Sequence, residues 1–178
     1  PRWYEAWSKP ARDPGAVLGP FTWVTFPPQV RTVRAPAHRV PWHQDAGYQR
    51  RLGARAHRQV LTCFVPLDDD PASRATIQFA AAPEAELAHA PLDGFGAGIA
   101  APPLRALTSY ALTLGDALVF GDLVLHRTFV PAGAVIERRS LEFRLVHPAD
   151  ALDAKDYFDL ASGAFVRRDG LRRVAPCA

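Results

Sequence analysis

His43 and Asp45 stand two apart in Pro-Trp-His-Gln-Asp-Ala-Gly-Tyr, residues 41–48, a segment bounded by Pro41 and Gly47. If the segment is extended, alternation aims both side chains at one face and turns Gln44 to the other. An imidazole and a carboxylate converging in this way supply two of the three protein ligands of a 2-His-1-carboxylate iron site. The same spacing also suits a plain hydrogen-bonded or solvated His–Asp pair. The rest of the chain has to decide between these readings.

A third ligand would be a histidine on a later strand. Of the six histidines, His38, His57 and His89 lie in polar or Pro/Ala-rich stretches that read as loops, and His147 sits at a strand end before Pro148. His126 closes the apolar run Gly-Asp-Ala-Leu-Val-Phe-Gly-Asp-Leu-Val-Leu-His, residues 115–126. Taken alone it reads as a hydrogen-bonded core histidine. Joined to His43 and Asp45 it completes a three-ligand face whose open positions would admit an organic cosubstrate and O₂.

Arginine supplies the next signal. In 139–146, Arg139, Leu141, Phe143 and Leu145 alternate onto one face, and Arg138, Ser140, Glu142 and Arg144 form the other. An arginine that begins an apolar face needs an anion, because an unpaired interior guanidinium is costly. A dicarboxylate gripped bidentately would serve. A buried Asp or Glu, or water at the strand mouth, would serve as well.

The elements that must position these groups read as strands. Phe21–Phe26, Gln29–Arg34, Val60–Leu67, Thr76–Phe79, Ala106–Leu114, Ala117–Phe120, Leu123–His126 and Ser140–Val146 carry the apolar and β-branched character of strands. Pro, Gly and Asp punctuate them, as at Asp68-Asp69-Asp70-Pro71 and Gly115-Asp116. Arg31 and Arg34 fall on opposite faces, so at most one looks inward. Residues 47–58, dense in Arg50, Arg51, Arg55 and Arg58, read as a mobile loop, either solvated or a lid that brings positive charge to an anionic substrate. A short helix is expected near Glu84–Ala90, ahead of a long irregular connection, and another helix-like piece over Ala151–Leu160. Many short strands with little helix predict an all-β sandwich or closed jelly roll.

A chain of 178 residues with 48% apolar content can bury one substantial core. One domain is therefore expected, with a core over about 21–147, an N-terminal flap over 1–20 and a tail over 148–178. The net charge of +3 is mildly basic, and Lys occurs only at Lys9 and Lys155. No basic run alternates with aromatics, so nucleic acid is not the expected partner. No apolar run approaches the ~20 residues needed to span a bilayer. Cys63 and Cys177 form no disulfide framework, which suits a reducing, cytoplasmic setting. The sequence starts at Pro1 and contains no Met, as a trimmed chain would. Its oligomeric state is not legible.

The ordered set His43-x-Asp45, the strand Leu61-Thr62-Cys63-Phe64-Val65-Pro66-Leu67-Asp68-Asp69, Gly115-Asp116 with Phe120 and His126, and Arg139-Ser140 resembles the phytanoyl-CoA dioxygenase family. The resemblance covers roughly residues 21–147. It implies a double-stranded β-helix (cupin-like jelly roll) and Fe(II)/2-oxoglutarate oxygenase activity that uses O₂. It further implies His43, Asp45 and His126 as iron ligands, Arg139 on the distal carboxylate of 2-oxoglutarate, and Thr62 as a hydroxyl touching the same cosubstrate. The interval from His126 to Arg139 is slightly long for the family, so Arg138 stands as the alternative. Asp45, where a small residue would signal halogenation, favours hydroxylation or another oxidation. The substrate would be a small polar molecule, with Tyr48 and Arg34 as candidate contacts. The Arg/Ala-rich, Lys-poor composition hints at a bacterial natural-product pathway. The competing reading is a cupin-like module that binds a metal or a sugar without oxygenase chemistry and needs neither Arg139 nor Thr62.

Overall fold

The computed structural model describes residues 19–34, 39–51, 60–68, 75–81, 85–92, 97–102, 105–134, 137–151, 155–167 and 172–174. Eleven strands, one α-helix and a short 3₁₀ helix follow in order within these residues: β1 (Trp23–Phe26), β2 (Gln29–Val33), α1 (Asp45–Arg51), β3 (Val60–Pro66), β4 (Thr76–Ala81), β5 (Arg105–Ser109), β6 (Leu118–Gly121), β7 (Leu125–Phe129), β8 (Arg138–Val146), the 3₁₀ helix (Pro148–Asp150), β9 (Asp156–Asp159), β10 (Ala164–Arg167) and β11 (Arg172–Val174). The expected flap over 1–20 lies almost wholly outside the described residues, as do His38, Arg55, His57 and Arg58.

All strand pairings are antiparallel, in two sheets. The larger runs β11-β10-β9-β1-β8-β3-β6, with β2 also paired to β8, and the smaller runs β5-β4-β7. The result is a nearly all-β, jelly-roll, cupin-like architecture. Its centre is β8, whose nine residues pair with β3 along one side and with β1 and β2 along the other.

Alternation divides the large sheet into two faces. On the face toward the small sheet, Phe64 and Phe120 pack with Ile77 of β4 and with the half-buried Phe79, Leu112, Leu118 and Val124. On the opposite face Cys63, Val119 and Leu145 are buried against Phe21, Val24, Leu61, Val65 and Phe143. Burial raises the Cys63 thiol to about 12, so this cysteine is an inert part of the packing.

Three expectations are corrected here. The described residues 85–90 form no helix. The side chain of Gln44 takes the Ala85 carbonyl and the Leu87 N–H, and Ala90 exchanges backbone bonds with Gly98. These groups are therefore engaged elsewhere and cannot join a helical ladder. The second expected helix, Ala151–Leu160, gives way to β9, which pairs with β1 from Trp23↔Asp159 to Phe26↔Asp156. Tyr157 is buried there against the Trp23 ring at 5.4 Å, so tertiary packing overrides local propensity. Residues 45–51, expected to be extended and then loop-like, form α1.

Candidate metal centre

His43 pairs onto the small sheet beside His126 of β7, the two rings tilted by 51°. His43 and His126 exchange backbone hydrogen bonds, each N–H to the other's carbonyl at 3.0 Å, and Thr128 N–H reaches the Val40 carbonyl at 3.0 Å. Residues 40–43 thus lie alongside β7 as a short extra rung. The two imidazole centroids are 4.1 Å apart.

Each ring is oriented in the same way. His43 Nδ1 lies 2.8 Å from the Pro41 carbonyl, and His126 Nδ1 lies 2.8 Å from the Val124 carbonyl. A carbonyl only accepts, so each Nδ1 carries the proton and each Nε2 keeps its lone pair. Burial lowers the His43 pKa to about 3, with His126 adding to the effect, and burial lowers His126 as well. Both rings stay neutral at physiological pH, which is the state a metal requires.

Asp45 reaches the pair from the first turn of α1, not from a continued strand. Its Oδ1 lies 3.7 Å from His43 Nε2. Its Oδ2 accepts the Thr62 hydroxyl proton and lies 3.1 Å from Arg144 Nη2. Burial alone would raise this carboxyl, but Arg144, the two imidazoles and Thr62 hold it well below the usual carboxylate range. Ligand atoms of His43, Asp45 and His126 all lie within 4.8 Å of one another, and all three residues are buried. Two neutral imidazoles and one ionised carboxylate on one face form a donor set that fits a divalent transition metal with positions left open.

Gln44 and His89 lock the turn that carries His43 and Asp45. The wholly buried Gln44 amide donates to the Ala85 and Leu123 carbonyls at 3.0 and 2.7 Å, and its oxygen accepts the Leu87 N–H at 2.7 Å. The Gln44 backbone N–H donates to His89 Nε2 at 3.1 Å. A Cβ at Gly47 would collide with the His89 ring, which explains a glycine inside α1. His89 lies in a segment that reads as a loop and is one. The only hint in the sequence is the placement of Gln44 between His43 and Asp45, turned away from them.

The cavity beside the triad is lined by Arg31, Thr62, Phe64, Phe120, Arg138, Glu142 and Arg144, among others. Arg138 is buried, with its guanidinium 4.7 Å from the centroid of the Phe64 ring. Among the described residues, its Nε and Nη1 find no hydrogen-bond partner. Burial lowers its pKa to about 10, which leaves it cationic at neutral pH.

The remaining expected contacts fall elsewhere. Arg139 is the exposed neighbour, bound through Nε and Nη2 to Asp68 Oδ1 at 3.0 and 2.9 Å. The geometry thus places Arg138 in the cavity and turns Arg139 away from it. Arg34 is exposed and pairs with Glu137 at 3.1 Å, while Arg31 faces the cavity and lies 3.6 Å from Glu142. Tyr48 donates to the Ala97 carbonyl at 2.7 Å and sets its ring edge-on against His43 at 5.3 Å. Thr62 does face the cavity, but its proton goes to Asp45. Arg144 escaped the sequence reading because it lies on the polar side of β8.

No protein-family model matches the sequence, and no curated protein does. Solved structures share the fold. A structure titled non-heme monooxygenase, ThoJ apo, superimposes with a TM-score of 0.58 at 20% identity, over 92% of this chain and 60% of that one. EvdO2 from Micromonospora carbonacea var. aurantiaca aligns at 0.53 and 19%, over 74% of this chain and 56% of its own. Its complex with 2-oxoglutarate aligns at 0.54 and 18%, over the same shares. The chain therefore has the fold of these proteins and spans about 60% or less of their length. Among the described residues, no helix is long and apolar enough to cross a membrane.

Proposed function

We propose that this chain carries the core of an Fe(II)- and 2-oxoglutarate-dependent dioxygenase that oxidises, by default hydroxylates, a small polar molecule. The finer resemblance to the phytanoyl-CoA dioxygenase family belongs to the same proposal. The observation that carries it is Arg138, a buried guanidinium with unpartnered nitrogens in the cavity that holds the His43–Asp45–His126 face. A cation so placed calls for an anionic ligand, and a dicarboxylate can span from a metal to a guanidinium. The 2-oxoglutarate complex of EvdO2 supports this choice of diacid.

His43 Nε2, Asp45 Oδ1 and His126 Nε2 would hold the iron. With 2-oxoglutarate and O₂, ferrous iron supplies the oxidation of a substrate C–H bond, coupled to decarboxylation of the diacid to succinate and CO₂. The protein's part is orientation and exclusion of water. Arg138 takes the far carboxylate, and Phe64 beneath it keeps the guanidinium plane fixed. Phe120, 4.7 Å from the His126 ring, closes the apolar wall behind that ligand. The Arg31–Glu142 pair adds polar groups that a polar substrate can bond.

The test is the visible charge-transfer absorption of the protein with Fe(II) and 2-oxoglutarate under anaerobic conditions. The wild type should develop the band and His126→Ala should not. A wild type that binds metal without the band would favour the cupin-like binding module.

A further inference from the structure

Asp45 is held asymmetrically, and the asymmetry has a chemical consequence. Thr62 and Arg144 are direct cross-strand partners on β3 and β8. That register sends two unlike side chains, a hydroxyl and a guanidinium, to one carboxylate oxygen. Thr62 Oγ1 donates to Asp45 Oδ2, and Arg144 Nη2 lies 3.1 Å from the same atom. Oδ1 instead lies toward His43 Nε2. The backbone behind the pair is fixed as well, since the Arg144 N–H donates to Thr25 Oγ1 of β1 at 3.0 Å.

We propose that Arg144 and Thr62 are positioning residues that confine Asp45 to a single-oxygen ligand by occupying Oδ2, so that one further metal position stays open beside the histidines. The proposal rests on the metal reading given above.

A carboxylate free on both oxygens tends to chelate a divalent cation, because the second oxygen is already within reach. Here chelation would require Oδ2 to give up a charge-assisted bond and a hydroxyl bond together. Three protein donors on an octahedral ion leave about three positions, enough for a bidentate keto acid and one more ligand. A chelating Asp45 would leave about two, and the diacid would fill both. The Thr62 hydroxyl has one proton, already on Asp45, so toward a cosubstrate it can act only as an acceptor.

The test uses Mn(II), with its bound waters counted by proton relaxation. The wild type should carry about three exchangeable waters, and Thr62→Val/Arg144→Met about two. The same double variant should bind Mn(II) at least as tightly as the wild type. With 2-oxoglutarate bound, the wild type should keep about one exchangeable water and the double variant none. Thr62→Ser should restore wild-type values on both counts. An unchanged water count, with and without 2-oxoglutarate, overturns the inference and leaves the metal site standing. Loss of Mn(II) affinity together with a lower metal-free melting temperature also overturns it, since the pair would then be structural. A wild type that takes up no Mn(II) removes the metal reading itself.

Discussion

The two faces of β8 differ in what they do. Arg139, Leu141, Phe143 and Leu145 alternate on one, and Leu145 and Phe143 pack against Cys63 and Val119 behind the sheet. Arg138, Ser140, Glu142 and Arg144 alternate on the other, and Arg138, Glu142 and Arg144 line the cavity. The apolar face holds the sheet together, and the polar face holds the site. A run of alternating apolar residues therefore marks burial but does not say which interior it enters. In a two-sheet protein the ligand cavity is a second interior, and its walls must be polar where a charged ligand binds.

The contrast makes predictions that differ in size. His126→Ala should abolish tight divalent-metal binding in a calorimetric titration, while the apolar face keeps the protein folded. Arg138→Ala should raise the 2-oxoglutarate concentration needed for half-saturation by about 10- to 100-fold, the loss expected of charge-assisted hydrogen bonds. Arg139→Ala should leave that concentration unchanged; a shift there with none in Arg138→Ala would reverse the assignment of the two faces. Leu145→Ala, on the apolar side, should cost about 2–4 kcal/mol in denaturant unfolding without altering metal affinity per folded molecule.

The pH dependence should also separate the site from the apolar face of β8. Below about 6.5 the unfolded chain protonates its histidines, while burial keeps His43 neutral down to about 3. The unfolded state then binds more protons, so metal-free stability is full above that range and falls as the pH drops. Asp122 opposes this trend. Burial raises its carboxyl from 3.8 to about 6, so it contributes stability in acid that is lost as pH rises through that interval. Asp122→Asn should therefore steepen the acid decline in melting temperature, whereas Leu145→Ala should lower it by a similar amount at every pH. Arg139→Ala should have the smallest effect, up to about 1 kcal/mol, as expected for an exposed pair.

Strands and the convergence of His43 with Asp45 were legible in the sequence because each depends on short-range spacing. β-Branched residues mark β2 and β3, alternating Leu141, Phe143 and Leu145 mark β8, and the His43-x-Asp45 step survives even though Asp45 enters α1. Only Asp45 is helical and His43 stays in the extended rung, and the turn between them still brings the two side chains within 3.7 Å. The supports were not legible. Arg144 reaches Asp45 only through the β3–β8 register, and His89 reaches Gln44 across 45 residues. Choosing between Arg138 and Arg139 required knowing which face of β8 met the cavity. A one-residue change of face reverses every assignment along a strand.

The most direct test of the central claim is anomalous diffraction at the iron edge from crystals grown anaerobically with Fe(II) and 2-oxoglutarate. The account predicts one peak bound by His43 Nε2, His126 Nε2 and Asp45 Oδ1, with the diacid extending from it to Arg138. A peak that excludes His126, or a diacid lying against Arg139, would contradict it.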